Sequence, residues 1–215
     1  MSESAKISNI HYIYQDRPNK ERADKIVKRK LGRLGYELDS TNSNKDVLTA
    51  KRGNNIHINY SGTNINSPRD IISDAALGVG VQRINPQFKE RRQKTRNIMR
   101  QYGNDRDYSL GGHSLGGSIA LNTVSQSKSI RDRVKRVDVF NPGYTLPFHN
   151  SIKVDQPIKR ELDKKVTVHR VKGDLVSAYA NKDTAFGAVA EHTHKDKNAD
   201  LSDKHSLDTF INSDL

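Results

Sequence analysis

The segment Gly111-Gly112-His113-Ser114-Leu115-Gly116-Gly117 constrains this chain more than any other. It stands between a predicted strand, Arg106 to Leu110, and a predicted helix, Leu115 to about Lys128. A serine at the hinge of a tight strand-to-helix turn sits in strained backbone with its hydroxyl facing a cleft. Side chains two residues before or after it would collide with the turn, and Gly112 and Gly116 remove those collisions. The helix that follows opens with N–H groups that have no intrahelical acceptor, beside the serine. A glycine-rich phosphate loop is the competing reading, and the lysine of a P-loop is missing from it.

The rest of the chain supplies a setting for such a turn. Ile7 to Gln15 reads as a short strand or extended lead-in, and Asn19 to Leu34 as a basic helix. The basic face of that helix is either a phosphate-binding surface or a solvated one. Asp46–Lys51 and Asn55–Tyr60 read as two strands joined by a hairpin turn at Arg52-Gly53-Asn54, with His57 facing water or a neighbour. Loop is expected from Asn64 to Pro68, a short helix over Arg69–Leu77, and a second basic helix from Pro86 to Tyr102. Phe88, Arg92, Thr95, Ile98, Met99 and Tyr102 form the stripe expected to be buried on it. Val134–Phe140 and Lys165–Val171 read as strands and Ser206–Ile211 as a terminal helix. Strands alternating with helices predict an α/β fold with a mostly parallel central sheet flanked by helices. One domain is expected over 1–215, with an N-terminal strand and basic helix in 1–44 and the core in 45–211.

A serine alone is a weak nucleophile and needs a base held by an acid. On such turns the acid and then the histidine follow the serine along the chain. Asp174 follows a strand at the end where the serine turn should lie, and His205 comes later, so the order is 114, 174, 205. Asp138 is a rival acid, inside a strand. His192 and His194 are rival bases; His149 precedes Asp174 and His169 lies within a strand. Negative charge developing on a substrate oxygen needs donors. Leu115 supplies an N–H by position, and Thr63, after Ser61-Gly62, offers an N–H and a hydroxyl.

These segments resemble the class 3 lipase family of α/β-hydrolases. Gly111–Gly117 matches the family's serine elbow, with Gly112, His113 and Gly116 around the nucleophile. Tyr60-Ser61-Gly62-Thr63 is similar to its oxyanion segment, with Ser61 in place of the usual arginine. Val139-Phe-Asn-Pro-Gly143 resembles its strand end, and Val171–Val176 and His205–Phe210 its acid and histidine segments. The resemblance implies an α/β-hydrolase-like fold and a serine esterase or lipase acting on an ester or lipid without a cofactor. It also implies Ser114, Asp174 and His205 as the catalytic triad, with Thr63 and Leu115 as the oxyanion hole. Residues 64–83 occupy the lid position, where Ile71, Ile72, Leu77 and Val81 either line an acyl pocket or pack on the sheet.

Composition narrows the partners. There is no cysteine, which excludes disulfides, zinc-thiolate sites and thiol nucleophiles. His192-Thr193-His194-Lys195-Asp196 lacks convincingly spaced further ligands, so no metal is expected. No stretch approaches the roughly 18 apolar residues of a membrane span, and no secretory signal is visible. These features favour an intracellular or particle-associated protein. Lys and Arg number 37 against 25 Asp and Glu, a net charge of +12 that favours anionic partners. The alternative to an enzyme is therefore an inactive hydrolase-fold module that binds nucleic acid or an anionic membrane.

Overall fold

The structure, a computed structural model, describes residues 2–62, 80–143, 152–174, 177, 185–196 and 198–211. The chain opens with α1 (Glu3–His11), α2 (Ile13–Asp16) and α3 (Lys20–Gly32). The strand expected over Ile7–Gln15 is thus helical. Ile7, Ile10 and Tyr14 are spaced by three and four residues, and in a strand Ile7 and Ile10 would face opposite ways. As helix they pack with Ala23, Val27 and Leu31 of α3. Asn19 caps α3 by accepting the Arg22 N–H at 2.9 Å.

Among the described residues seven strands form one sheet in sequential order: β1 (Glu37–Leu38), β2 (Val47–Arg52), β3 (Asn55–Tyr60), β4 (Asp107–His113), β5 (Val134–Phe140), β6 (Val166–Val171) and β7 (Ala188–His192). β1, β2 and β3 pair antiparallel, and β3 through β7 run parallel. Arg52 faces Asn55 in register, and Gly53 takes φ 57° in the two-residue turn between them. Crossovers pass through α4 (Gly80–Tyr102), α5 (Leu115–Ser125) with α6 (Lys128–Arg131), and α7 (Gln156–Asp163). The C-terminal part holds α8 (Leu201–His205) and α9 (Asp208–Ile211), two short helices where one was expected. α4 begins before Pro86 and keeps that proline inside, so Pro86 does not start the helix. The fold accepts the one backbone hydrogen bond that an interior proline removes. On α4 it is Arg91 that is buried, paired with Asp46 at 2.8 Å, while Arg92 is half-buried.

The apolar core lies between the sheet and α4, α5 and α7. Ile58, Tyr60, Leu110, Val137, Val139 and Val168 meet Met99, Ile119, Val124 and Leu162 there. α1, α3 and α9 cover the opposite face. Among the described residues no helix is long and apolar enough to cross a membrane.

Candidate active site

The carboxyl ends of β3 to β6 lead into Ser61, Ser114, Asn141 and Lys172 in turn. Ligands of parallel α/β sheets bind at that end. Ser114 joins β4 to α5 with φ 55° and ψ −127°. Among the described residues only Asn141 shares a positive φ without being glycine. Such backbone costs roughly 1–3 kcal/mol and persists only where its surroundings enforce it. Here the Ser114 N–H donates to Phe140 O at 3.0 Å, and its carbonyl accepts from Ser118 and Gly143, both at 3.2 Å. The glycines are obligatory. A Cβ on Gly112 would lie 2.4 Å from the Gly116 carbonyl, and one on Gly116 2.2 Å from Tyr60 O.

Asp174 and His205 meet beside this turn. His205 Nδ1 is 3.1 Å from both carboxylate oxygens of Asp174, and the two residues are 5% and 2% exposed respectively. A carboxylate only accepts, so Nδ1 carries a proton, and in the neutral imidazole Nε2 is then the atom with the lone pair. Nε2 is buried and has no hydrogen-bond partner among the described residues. The His205 ring lies 4.9 Å, centroid to centroid, from that of His113, the residue before Ser114. The hydrogen bond from Ser114 to His205 is not made in this structure. Ser177, outside the sequence reading, donates its N–H at 3.2 Å and its hydroxyl at 2.6 Å to Asp174.

Leu115 is the first residue of α5, so its N–H is free of the helix ladder. Gly62 stands against the serine, since a Cβ on it would come within 3.3 Å of Ser114 Cβ. Thr63 lies outside the described residues, as do His149 and the lid positions 64–79. A cleft of about 330 Å³ opens here, lined by Gln15, Lys45, Asp46, Ser61, Gly62, Gln87, Arg91, Leu115 and Ile119.

The rivals are occupied elsewhere. Asp138 pairs with Arg136 at 2.6 Å and with His169 at 3.5 Å. His169 Nδ1 is 3.2 Å from His192 Nε2, and His194 Nδ1 accepts the Asp196 N–H at 3.1 Å. No group of three His, Cys, Asp or Glu residues positioned to hold a metal occurs among the described residues. His57 does not face water: it is buried against Ser109, 2.9 Å from its hydroxyl. Burial pushes its imidazole down to about 4 and that of His113 down to about 3.

Three positioning contacts escaped the sequence reading. Tyr12 Oη is 2.7 Å from His113 Nδ1, Gln15 donates to Gly62 O at 2.7 Å, and Asn141 donates to His205 O at 3.1 Å. Helical spacing over residues 7–14 was the signal that could have placed Tyr12 and Gln15 beside the site.

Sequential strand order, parallel crossovers and a strained serine turn at the end of β4 define an α/β-hydrolase-like fold. No family model matches the sequence, and no curated protein does. Among solved structures the chain is similar to a lipase from Rhizopus microsporus var. chinensis. The identity is 16%, over 93% of this chain and 78% of that one, with a TM-score of 0.48.

Proposed function

We propose that this chain is a serine carboxylic-ester hydrolase, similar to the class 3 lipases in its motifs. The observation that carries the reading is the buried Asp174–His205 pair beside the strained Ser114 turn, with Nε2 of His205 unpartnered among the described residues. In this reading Ser114 Oγ attacks the ester carbonyl and His205 Nε2 takes its proton. His205 then returns that proton to the leaving alcohol, and water releases the acyl group by the same route. Asp174 holds the tautomer and stabilises the imidazolium. The Leu115 N–H and Thr63 receive the oxyanion. The open Ser114–His205 contact is compatible with this role, because catalytic hydrogen bonds of unliganded enzymes often tighten only around substrate.

A fluorophosphonate probe and p-nitrophenyl esters of graded chain length test the reading. Labelling should map to Ser114, and Ser114→Ala should lose both labelling and at least about a thousandfold in kcat with unchanged circular dichroism. Turnover undiminished in that variant would end the proposal.

A second reading rests on α4. Lys89, Arg92, Arg96 and Arg100 share one stripe of it, Lys89 and Arg100 exposed and Arg92 and Arg96 half-buried, with no carboxylate in ion-pair contact among the described residues. An inactive module binding nucleic acid or anionic membrane would go unlabelled. Its affinity for DNA or acidic vesicles would fall steeply with salt.

A further inference from the structure

The N-terminal helices reach the site at two points. Tyr12, between α1 and α2, places Oη 2.7 Å from His113 Nδ1. His113 Nε2 lies 2.7 Å from the carbonyl oxygen of His205. A carbonyl only accepts, so Nε2 carries the proton, Nδ1 is the acceptor and the Tyr12 phenol donates. Phenol, imidazole and carbonyl thus form a directed chain ending on the backbone of the very residue that carries the candidate base. Asn141 grips the same carbonyl, donating from Nδ2 at 3.1 Å, and the Lys204 carbonyl at 2.9 Å. Tyr12 also abuts the strand end opposite the serine. A Cβ on Gly62 would stand 2.8 Å from Oη, and Gln15, one turn on, donates to Gly62 O at 2.7 Å.

We infer that Tyr12 is a positioning residue for the reaction at Ser114, acting through His113 to set the backbone that carries His205. The inference rests on the hydrolase reading. Tyr12 touches neither Asp174 nor a reacting atom, so its effect passes through the groups it holds, His113 and the backbone of Gly62, and the His113 variants below isolate the first of these. Burial keeps His113 neutral through the physiological range, so the direction of the chain does not change with pH there. The phenol is itself buried against ionisation, its pKa pushed well above the ordinary tyrosine range. Removing the hydroxyl leaves a buried acceptor on His113 with nothing to hold it. The ring can then turn away from the His205 carbonyl, and the imidazole beyond loses its alignment with Ser114. Substrate binding does not use this chain, so the loss should fall on kcat.

The test compares Tyr12→Phe, His113→Gln and His113→Leu with the wild type. Glutamine retains a donor for the His205 carbonyl and an acceptor for Tyr12, whereas leucine has neither. Tyr12→Phe should lower kcat about tenfold, one lost hydrogen bond's worth, with KM unchanged. His113→Leu should lose at least as much, and His113→Gln should stay within about threefold of the wild type, as the rescue. The ¹⁵N signal of His113 Nδ1 should show a hydrogen-bonded acceptor in the wild type and a free one in Tyr12→Phe, and this readout needs no turnover. Full kcat in a folded Tyr12→Phe, or equal loss in the glutamine and leucine variants, overturns the inference while leaving the hydrolase reading intact. A wild type that the fluorophosphonate never labels overturns both.

Discussion

On the α5 side of the sheet β3 to β6 present Ile58, Tyr60, Leu110, Val137, Val139 and Val168, all buried. On the α1 side the same strands present His57, Asn59, Ser109, Gly111, His113, Asp138 and His169, with Phe140 and Val171 beside them. The two faces are held by different forces. The first is a close-packed oil layer. The second sets a polar seam between the apolar contacts of α1, α3 and α9: Ser8 donates to Asn59 Oδ1 at 2.7 Å, Asn59 Nδ2 lies 3.0 Å from His11 Nδ1, and His11 Nε2 lies 3.0 Å from Asn44 O. That seam continues through Tyr12 and His113 to His205. The packed face fixes where the serine turn stands, and the hydrogen-bonded face orients the histidine loop over it.

Acid should separate the faces most sharply. His11 and His113 are pushed down to about 3 and His57 to about 4, burial being the largest cause for each, and all three belong to the polar seam. Each binds a proton in the unfolded chain below about 6.5 but in the folded chain only near its depressed value. Their contribution to stability is therefore complete above about 6.5 and is lost as pH falls toward 4 or 3. Each should cost about 2 kcal/mol at pH 5, so three together cost about 6 kcal/mol, comparable with the whole stability of a small domain. Urea titrations from pH 7.5 to 5 should show this fall, and His57→Gln should reduce its slope by about a third. A free energy of unfolding that stays level over that range would show that these histidines are not buried neutral.

Adjacent glycines in β4 compare the faces at one place. Gly112 points toward α5, where a Cβ would lie 2.4 Å from backbone carbon and oxygen of Gly116. Gly111 points toward α1, where the nearest atoms are side-chain ends: Ser4 Oγ at 2.8 Å, Asn59 Oδ1 at 2.9 Å and His57 Nε2 at 3.0 Å. Backbone cannot yield as rotamers can. Gly112→Ala should cost more than about 3 kcal/mol or abolish folding, and Gly111→Ala about 1 kcal/mol. Thermal melts of the two variants decide it; equal losses would mean the seam is as rigid as the core.

The two faces also differed in how openly the sequence displayed them. Alternation in Asn55–Tyr60 marks one apolar side, Val134–Phe140 is rich in β-branched and aromatic residues, and both strands form over those residues. The serine turn was legible because only glycine fits at 112 and 116. α1 was not, because its buried face mixes Ile7 and Ile10 with Ser4, Ser8 and His11. The three- and four-residue spacing of Ile7, Ile10 and Tyr14 was present but diluted by those polar residues, because part of this helix docks through hydrogen bonds. For the same reason Tyr12, Gln15 and Asn141 went unseen: their roles depend on partners 30 to 101 residues away in the chain. β7, on the far edge of the sheet, was missed because Ala188–His192 carries no apolar alternation.

The smallest net change, that of a triple variant, probes whether the seam is needed as polar matter or only as filling. Asn59→Ala removes the partner of Ser8 Oγ and of His11 Nδ1 and should cost about 2 kcal/mol, mostly through buried polar groups left unsatisfied. If that is the cause, replacing the partners as well should restore part of the loss. Ser8→Ala and His11→Leu added to Asn59→Leu should bring stability back to within about 1 kcal/mol of the wild type, because apolar groups of similar shape leave no orphaned donors. The triple variant would also lose one of the three acid-labile histidines, so its stability should fall less steeply below pH 6.5. Leu110→Ala on the packed face offers no such route, since the cavity it opens has no polar partner to remove. Failure of the triple variant to recover would mean that α1 is held by shape, in the manner of the opposite face, and the contrast between the two sides would reduce to composition alone.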